Sequence, residues 1–403
     1  MSTAYLKRPS SGRKKRLARL TRLLEHVSKQ LLPPIHRGNL VTFLPDGPVF
    51  FEDFLNSIRS AKTFILMEYY LIRDDVTGSS VANELIAALE RGVRVLLVYD
   101  YIGCIDTPSS FFRKLELQGA ELVPFNVPSF RRGIRWFDRR DHRKMLIVDG
   151  RSAFLGGFNI GDEYSGVKAR PDRFRDLGLN VKGSAVKELI TIFSETWQIQ
   201  KGCPPELPAI DPVYNENHKT GKADISFVSG GPHQRSSYIR QAFLLNIASA
   251  SENLLIVSPY FVPGPRIIRS LLRAARRGVR VRLLLPARSD VKIVLLVGRS
   301  SYETLLRGGV EIYELEDDIL HAKVMLVDAE RTIIGSANLD QRSFHRNFEI
   351  NAVIDSDSFT QQIRHTFERE LVSSRRVTLA NHEQRDVMTR MLEKLINLFG
   401  WFL

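Results

Sequence analysis

Residues 142–159 read HRKMLIVDGRSAFLGGFN, and residues 321–338 read HAKVMLVDAERTIIGSAN. Both obey H-x-K-x-x-x-x-D, followed after six residues by G-[GS]-x-N. A single H-x-K-x-x-x-x-D arises by chance in roughly one chain in fifty of this composition, so one copy would say little. Two copies in register, each carrying the Gly and the Asn, are a duplicated site. The run after each lysine is apolar and β-branched, as a buried strand requires. Side chains at i and i+2 of a strand point the same way, which sets His142 beside Lys144 and His321 beside Lys323. The glycines let the chain turn back close to that strand, and Asn159 and Asn338 return an amide to the same place.

The duplication extends outward from the motifs. RGVRVLLV at 91–98 is answered by RGVRVRLL at 277–284, 186 residues on, and QGAELVPFN at 118–126 by GGVEIYELE at 308–316. Each half runs strand, helix, strand: TFILMEYY, NELIAALER, VRVLLVYD in the first, NLLIVSPYF, RSLLRAARR, VRVRLLLP in the second. A period this long is two copies of one domain, not a solenoid. The fold class expected is α/β, two duplicated domains, each a mixed, mostly parallel sheet flanked by helices, packed as a pseudo-dimer around one active site. The expected division is a basic amphipathic arm at 1–37, a first domain at 38–203, a proline-containing linker at 204–224, a second domain at 225–375 and an amphipathic tail at 376–403.

Facing halves would collect two imidazoles, two ammoniums and two amides around one cavity. That set suits a phosphate diester: lysines and amides neutralise the oxygens, one histidine attacks phosphorus, and the other protonates the leaving oxygen. The carboxylate cage that Mg²⁺ or Ca²⁺ requires is not part of the pattern, so neither a metal nor a cofactor is expected. Asp149 and Asp328 complete the motif, His142, Lys144, Asp149, His321, Lys323 and Asp328. Each aspartate lies five residues past its lysine, at a strand end, and is expected to be structural.

At these residues the chain resembles the phospholipase D superfamily, and within it the bacterial cardiolipin synthases. GGFNIGDEYSG (Gly156–Gly166), SPYFVP (Ser258–Pro263) and GSANLDQRSFHRNFEIN (Gly335–Asn351) are written much as that family writes them. The resemblance covers about residues 40–370. It implies a phospho-enzyme on the first motif histidine, His142, with His321 as general acid and then base. It implies phosphate-binding roles for Lys144, Lys323, Asn159 and Asn338. It also implies an acidic residue some thirty positions after each motif to orient a histidine, which points to Asp176 and Glu349. The reaction implied is phosphatidyl transfer from phosphatidylglycerol or a related phospholipid to a second lipid's hydroxyl, giving cardiolipin. Water as acceptor would make the protein a phospholipase D-type hydrolase. A nuclease of the superfamily is the more distant alternative, because such nucleases are often single-motif dimers without SPYFVP or NIGDEY.

Composition fits this picture. The chain has 403 residues, 43% apolar and 26% charged, which is globular usage. Two cysteines, Cys104 and Cys203, exclude a disulfide framework, and no apolar run approaches the ~20 residues of a membrane span. The net charge is +13, and residues 1–37 hold ten basic side chains against one acidic. Leu17, Leu20, Leu24, Val27 and Leu31 give that arm an apolar helical stripe. Arg131–Lys144 carries seven basic residues around Trp136 and Phe137. The end of the chain, VMTRMLEKLINLFGWFL, has a second apolar stripe. The expected partners are anionic phospholipids and a membrane surface, met through the arm, the loop at 131–140 and the tail, with no nucleic acid. The expected location is peripheral, on the cytoplasmic face of a bacterial inner membrane. Family members usually open with two transmembrane spans; the basic arm here resembles a shorter, peripheral branch.

Overall fold

A computed structural model describes residues 33–128, 138–169, 172–208, 221–232 and 237–386, together with Met388, Glu393 and Ile396. Most of the arm, most of the loop at 131–140 and half of the tail therefore lie outside the described residues. His36–Leu403 cluster as one compact unit.

The first half contributes β1 (His36–Leu44), α1 (Gly47–Ser60), β2 (Phe64–Tyr69), α2 (Val76–Glu90), β3 (Arg94–Asp100), α3 (Ser109–Leu117), β4 (Glu121–Phe125), β5 (Lys144–Val148), β6 (Ser152–Gly156), α4 (Asp162–Ser165), β7 (Phe174–Arg175), β8 (Gly178–Lys182) and α5 (Val186–Lys201). The second contributes β9 (Ala223–Gly230), α6 (Tyr238–Ser249), β10 (Asn253–Val257), α7 (Gly264–Arg276), β11 (Arg280–Pro286), α8 (Lys292–Arg299), α9 (Tyr302–Arg307), β12 (Glu311–Leu315), β13 (Ile319–Leu320), β14 (Val324–Val327), β15 (Arg331–Gly335), α10 (Gln341–His345), β16 (Glu349–Asp355), α11 (Asp357–Ser373), β17 (Arg375–Val377) and α12 (Leu379–Glu383).

Fifteen of these strands form one sheet in the order β17-β12-β11-β10-β14-β15-β16-β9-β1-β8-β6-β5-β2-β3-β4. The two halves meet edge to edge where β1 pairs antiparallel with β9. The α/β duplication is as expected, but the sheet is mostly antiparallel. Parallel pairing is confined to β2-β3-β4 and β10-β11-β12, the segments joined through helices. The motif strands pair antiparallel with their successors because only a tight turn separates them. A parallel return needs a crossover of a dozen residues, and the turn at Asp149-Gly150 cannot supply one. The fold also runs past the expected edges of the domains. His36 and Arg37 belong to β1, and Arg375–Val377 pair with β12.

Alternation along the strands fills both faces. Phe64, Leu66, Met145 and Ile147 join a core shared by both halves, with Leu189, Phe193, Ile363 and Phe367 of α5 and α11. Ile65, Met67, Leu146 and Val148 point to the opposite layer, with Phe50, Phe54 and Leu85 of α1 and α2. A matching cluster under α6, α7 and α9 serves the second half. At ~25 cal/mol per Å² such burial is the main term holding the sheet together. No helix among the described residues is long and apolar enough to cross a membrane.

Candidate active site

The motif histidines lie just before the strands rather than within them. Lys144 opens β5, and His142 is tied to the other half: its N–H donates to the Phe348 carbonyl at 2.9 Å, and Phe348 N–H donates to the Arg140 carbonyl at 2.8 Å. The second motif repeats this. His321 N–H donates to the Arg175 carbonyl at 2.8 Å, and β13 pairs with β7 of the first half. Each motif thus docks on the chain segment that carries the other half's carboxylate.

The pairing of histidine and carboxylate is crossed. His142 Nδ1 lies 3.1 Å from both oxygens of Glu349. His321 Nδ1 lies 2.5 Å from Asp176 Oδ2. Glu349 is fully buried and also accepts from Ser336 Oγ at 2.5 Å, Ser343 Oγ at 2.9 Å and Asn347 Nδ2 at 3.1 Å. Burial opposes its charge, yet His142, Lys144 and these donors outweigh it and hold the Glu349 pKa below the usual carboxylate value. Asp176 accepts from Leu177 N–H at 2.8 Å, and burial pushes its pKa up to about 6 against the pull of Lys323. A Cβ at Gly157 would stand 2.2 Å from Asp176 Oδ1, so the glycine in the first motif makes room for this carboxylate. The matching residue in the second motif, Ser336, instead bonds to its carboxylate.

Lys144 Nζ donates to the His142 carbonyl at 2.7 Å and stands over the Tyr70 ring at 5.2 Å. Lys323 Nζ lies 2.8 Å from His321 Nδ1 and also donates to the His321 carbonyl. Burial brings Lys144 down to about 7 and Lys323 down to about 8. Burial likewise lowers both histidines, His321 well below its ordinary value with Lys323 as the next cause. At neutral pH the site by itself therefore holds neutral imidazoles, ionised carboxylates and readily deprotonated ammoniums. An anionic phosphodiester would favour the protonated lysines and imidazole.

His142 and His321 line one cavity of about 480 Å³ with Asn159 and Asn338. Asn159 Nδ2 donates to the Tyr164 hydroxyl at 2.8 Å, while the side-chain oxygens of Asn159 and Asn338 are buried without a partner among the described residues. Such atoms cost free energy until something bonds to them, as a ligand hydroxyl would. His321 is stacked on Phe174 at 5.3 Å and meets the Tyr164 edge, and His142 meets the Tyr70 edge at 4.9 Å. Sequence reasoning missed these aromatics, along with Tyr260, Asp290, Asp340 and Arg342 of the same wall. SPYFVP and NIGDEY, which contain two of them, were the available signal.

Asp149 and Asp328, grouped with the catalytic motif, do not line the cavity. Each sits at the far end of its strand with positive φ, 53° and 47°. Asp149 Oδ1 accepts from the N–H groups of Thr63 and Phe64 at 2.7 and 3.1 Å. Asp328 Oδ1 accepts from Glu252 and Asn253 at 2.8 and 2.9 Å. They anchor the entries to β2 and β10.

The family described as cardiolipin synthase, PLD-like domain, matches residues 54–197 and 243–371. The chain is 34% identical over 387 residues to a cardiolipin synthase of Geobacillus sp. (strain WCH70), covering 94% of this chain and 75% of the relative. It is 36% identical over 361 residues to cardiolipin synthase 2 of Bacillus anthracis, covering 89% and 69%. Among solved structures, a phosphatidylserine synthase of Haemophilus influenzae superposes with a TM-score of 0.71 over 94% of this chain and 99% of that one, at 14% identity, a likeness of fold.

Proposed function

The chain belongs to the cardiolipin synthase family of phospholipase D-like proteins, and on that premise we propose that it makes cardiolipin by phosphatidyl transfer. The donor is phosphatidylglycerol or a related phospholipid. The observation that carries this reading is the crossed pairing of each histidine with the other half's carboxylate in one cavity. A carboxylate on Nδ1 fixes the tautomer that leaves Nε2 free for the substrate.

His142 Nε2 attacks phosphorus as the bond from phosphorus to the glycerol oxygen breaks, and His321 Nε2–H protonates that oxygen. The acceptor hydroxyl then gives its proton to His321 while its oxygen attacks phosphorus, and the bond from phosphorus to His142 breaks. Lys144 and Lys323 offset the charge on the non-bridging oxygens, and Asn159 and Asn338 complete the cradle by turning their Nδ2 groups to the phosphate, the Asn159 oxygen then accepting from the Tyr164 hydroxyl. Asp176 and Glu349 orient the rings. The first half, from β1 at His36 to about residue 203, and the second, from β9 at Ala223 to β17 at Val377, supply one motif each. The step uses no divalent cation. The protein acts peripherally at an anionic membrane, at the cytoplasmic face of a bacterial inner membrane.

Lipid extracts from cells expressing the wild type and His142→Ala test the reading. Cardiolipin should rise with the wild type and not with the variant. His321→Ala should also lose nearly all turnover, and the double variant should be scarcely worse, since residues acting as one unit are non-additive. Phosphatidic acid as the sole product would favour the hydrolase. A covalent adduct formed only in the absence of His142 would reverse the two roles.

A further inference from the structure

The two halves can be matched residue by residue along the cavity wall. Ile72 bridges Ile160 in parallel, and Phe261 bridges Leu339 in the same way. In that register Asn159 answers Asn338, Glu163 answers Arg342, and Arg73 answers Val262. In the first half Arg73 Nε donates to Glu163 Oε1 at 2.6 Å, closing an ion pair on the wall. In the second half the acid has become arginine and the arginine has become valine. Arg342 consequently has no ion-pair partner among the described residues. Its Nη2 donates to the Asp138 carbonyl at 3.4 Å, a long bond. Asp340, two residues earlier, accepts from Ser343 N–H at 2.7 Å and attracts Arg342 only through space, without a contact close enough for an ion pair. Arg342 nevertheless lines the same cavity as His142, His321 and Asn338.

A guanidinium on the cavity wall with no carboxylate in direct contact among the described residues suits an anion, and its planar fork suits a phosphate. The chemistry supplies one. Phosphatidyl transfer between two phospholipids brings two phosphodiesters together. The first is attacked at His142 between Lys144 and Lys323. The second belongs to the acceptor, a three-carbon bridge from the attacking hydroxyl, and the motifs leave it without a cation. We propose that Arg342 holds the acceptor lipid's own phosphodiester, so that it selects an anionic lipid over water or a neutral alcohol as acceptor. This rests on the transfer reading above. Arg342 positions the acceptor and makes no bond to the transferred phosphorus.

The test uses the full chain in detergent micelles with phosphatidylglycerol as donor and acceptor and 1-butanol as competing neutral acceptor. Cardiolipin and phosphatidylbutanol are measured together. Arg342→Gln should lower the ratio of cardiolipin to phosphatidylbutanol about tenfold or more, the loss of one charge-assisted contact. Arg342→Lys should recover part of that ratio, because it restores charge without the fork. A ratio unchanged in Arg342→Gln would overturn the proposal. So would an equal loss of both products in Arg342→Gln that Arg342→Lys restores for both, since that marks a role in the donor step or in folding. Wild-type protein making neither product would sink the transfer reading itself, and the proposal with it.

Discussion

Lys144 and Lys323 should set the alkaline limb of the pH profile. Burial has brought them to about 7 and about 8. A lysine loses its charge as pH rises through its pKa, so phosphate affinity in the free enzyme should weaken from about pH 7 upward. The histidines are lowered, so His142 is already a neutral nucleophile at pH 7 and loses that state only in acid. kcat/KM for phosphatidylglycerol should thus fall on the alkaline side of neutrality, where the lysines lose charge and His321, the general acid, is already deprotonated in the free enzyme. Bound phosphodiester should raise both lysines, so kcat should hold to higher pH than kcat/KM. A kcat/KM flat to pH 9 would show that the lysines stay charged in the free enzyme. The residues behind this behaviour were legible to unequal degrees. His142, Lys144, His321, Lys323, Asn159 and Asn338 stand out because spacing repeats them. Asp176 and Glu349 could be named through the resemblance, but not which histidine each serves, because that depends on how two distant segments dock. Tyr70 and Phe174 carry no motif; only the folded wall brings them to the imidazoles.

The motif hairpins show that a residue can repeat with a motif and still serve only the end of its strand. Asp149 and Asp328 repeat as faithfully as the histidines, yet they terminate β5 and β14 in turns with positive φ and collect backbone N–H groups from the start of β2 and β10. Asp149→Ala and Asp328→Ala should each cost about 1–3 kcal/mol of stability, from the lost acceptor and from a left-handed backbone that alanine tolerates poorly. Turnover per folded molecule in micelles should change less than twofold. Burial disfavours each aspartate's charge, but the hydrogen bonds outweigh it and hold each pKa below the usual value. The stability they contribute is therefore present above the unfolded aspartate pKa and is lost as pH falls through the folded one. The Tm deficit of the variants should shrink below about pH 4. A selective fall in kcat with unchanged Tm would return these aspartates to the chemistry. The same hairpins explain the misjudged sheet. Strand, helix, strand was readable in TFILMEYY to VRVLLVYD and predicts parallel pairing correctly there. The pairing of β1, β8 and β9 was not readable, since it joins strands distant in sequence.

At the scale of the whole molecule the active site exists only because the halves exchange segments, and the remaining question is how such a site meets its lipids. Charge and spacing make residues 1–32 and the tail the candidates for membrane contact. The tail's described residues divide by face: Glu393 is buried and paired with Arg385 at 2.9 Å, Ile396 packs on Val262, Val294 and Val297, and Met388 is 73% exposed. Met388 belongs to the apolar stripe that the sequence carries on to Phe402. Each basic residue near an anionic surface contributes up to about 1 kcal/mol, less as salt screens it, and two anchoring signals hold far better than one. Removing residues 1–32, which spares β1, and replacing Trp401 and Phe402 by serine, which spares Glu393 and Ile396, should release the protein from phosphatidylglycerol vesicles. Turnover in micelles should survive. Co-sedimentation at low and high salt measures the release, and wild-type binding should weaken as salt rises. If the altered protein pellets as well as the wild type, the anchor is the catalytic face itself, and the basic run Arg131–Arg140 becomes the segment to neutralise next.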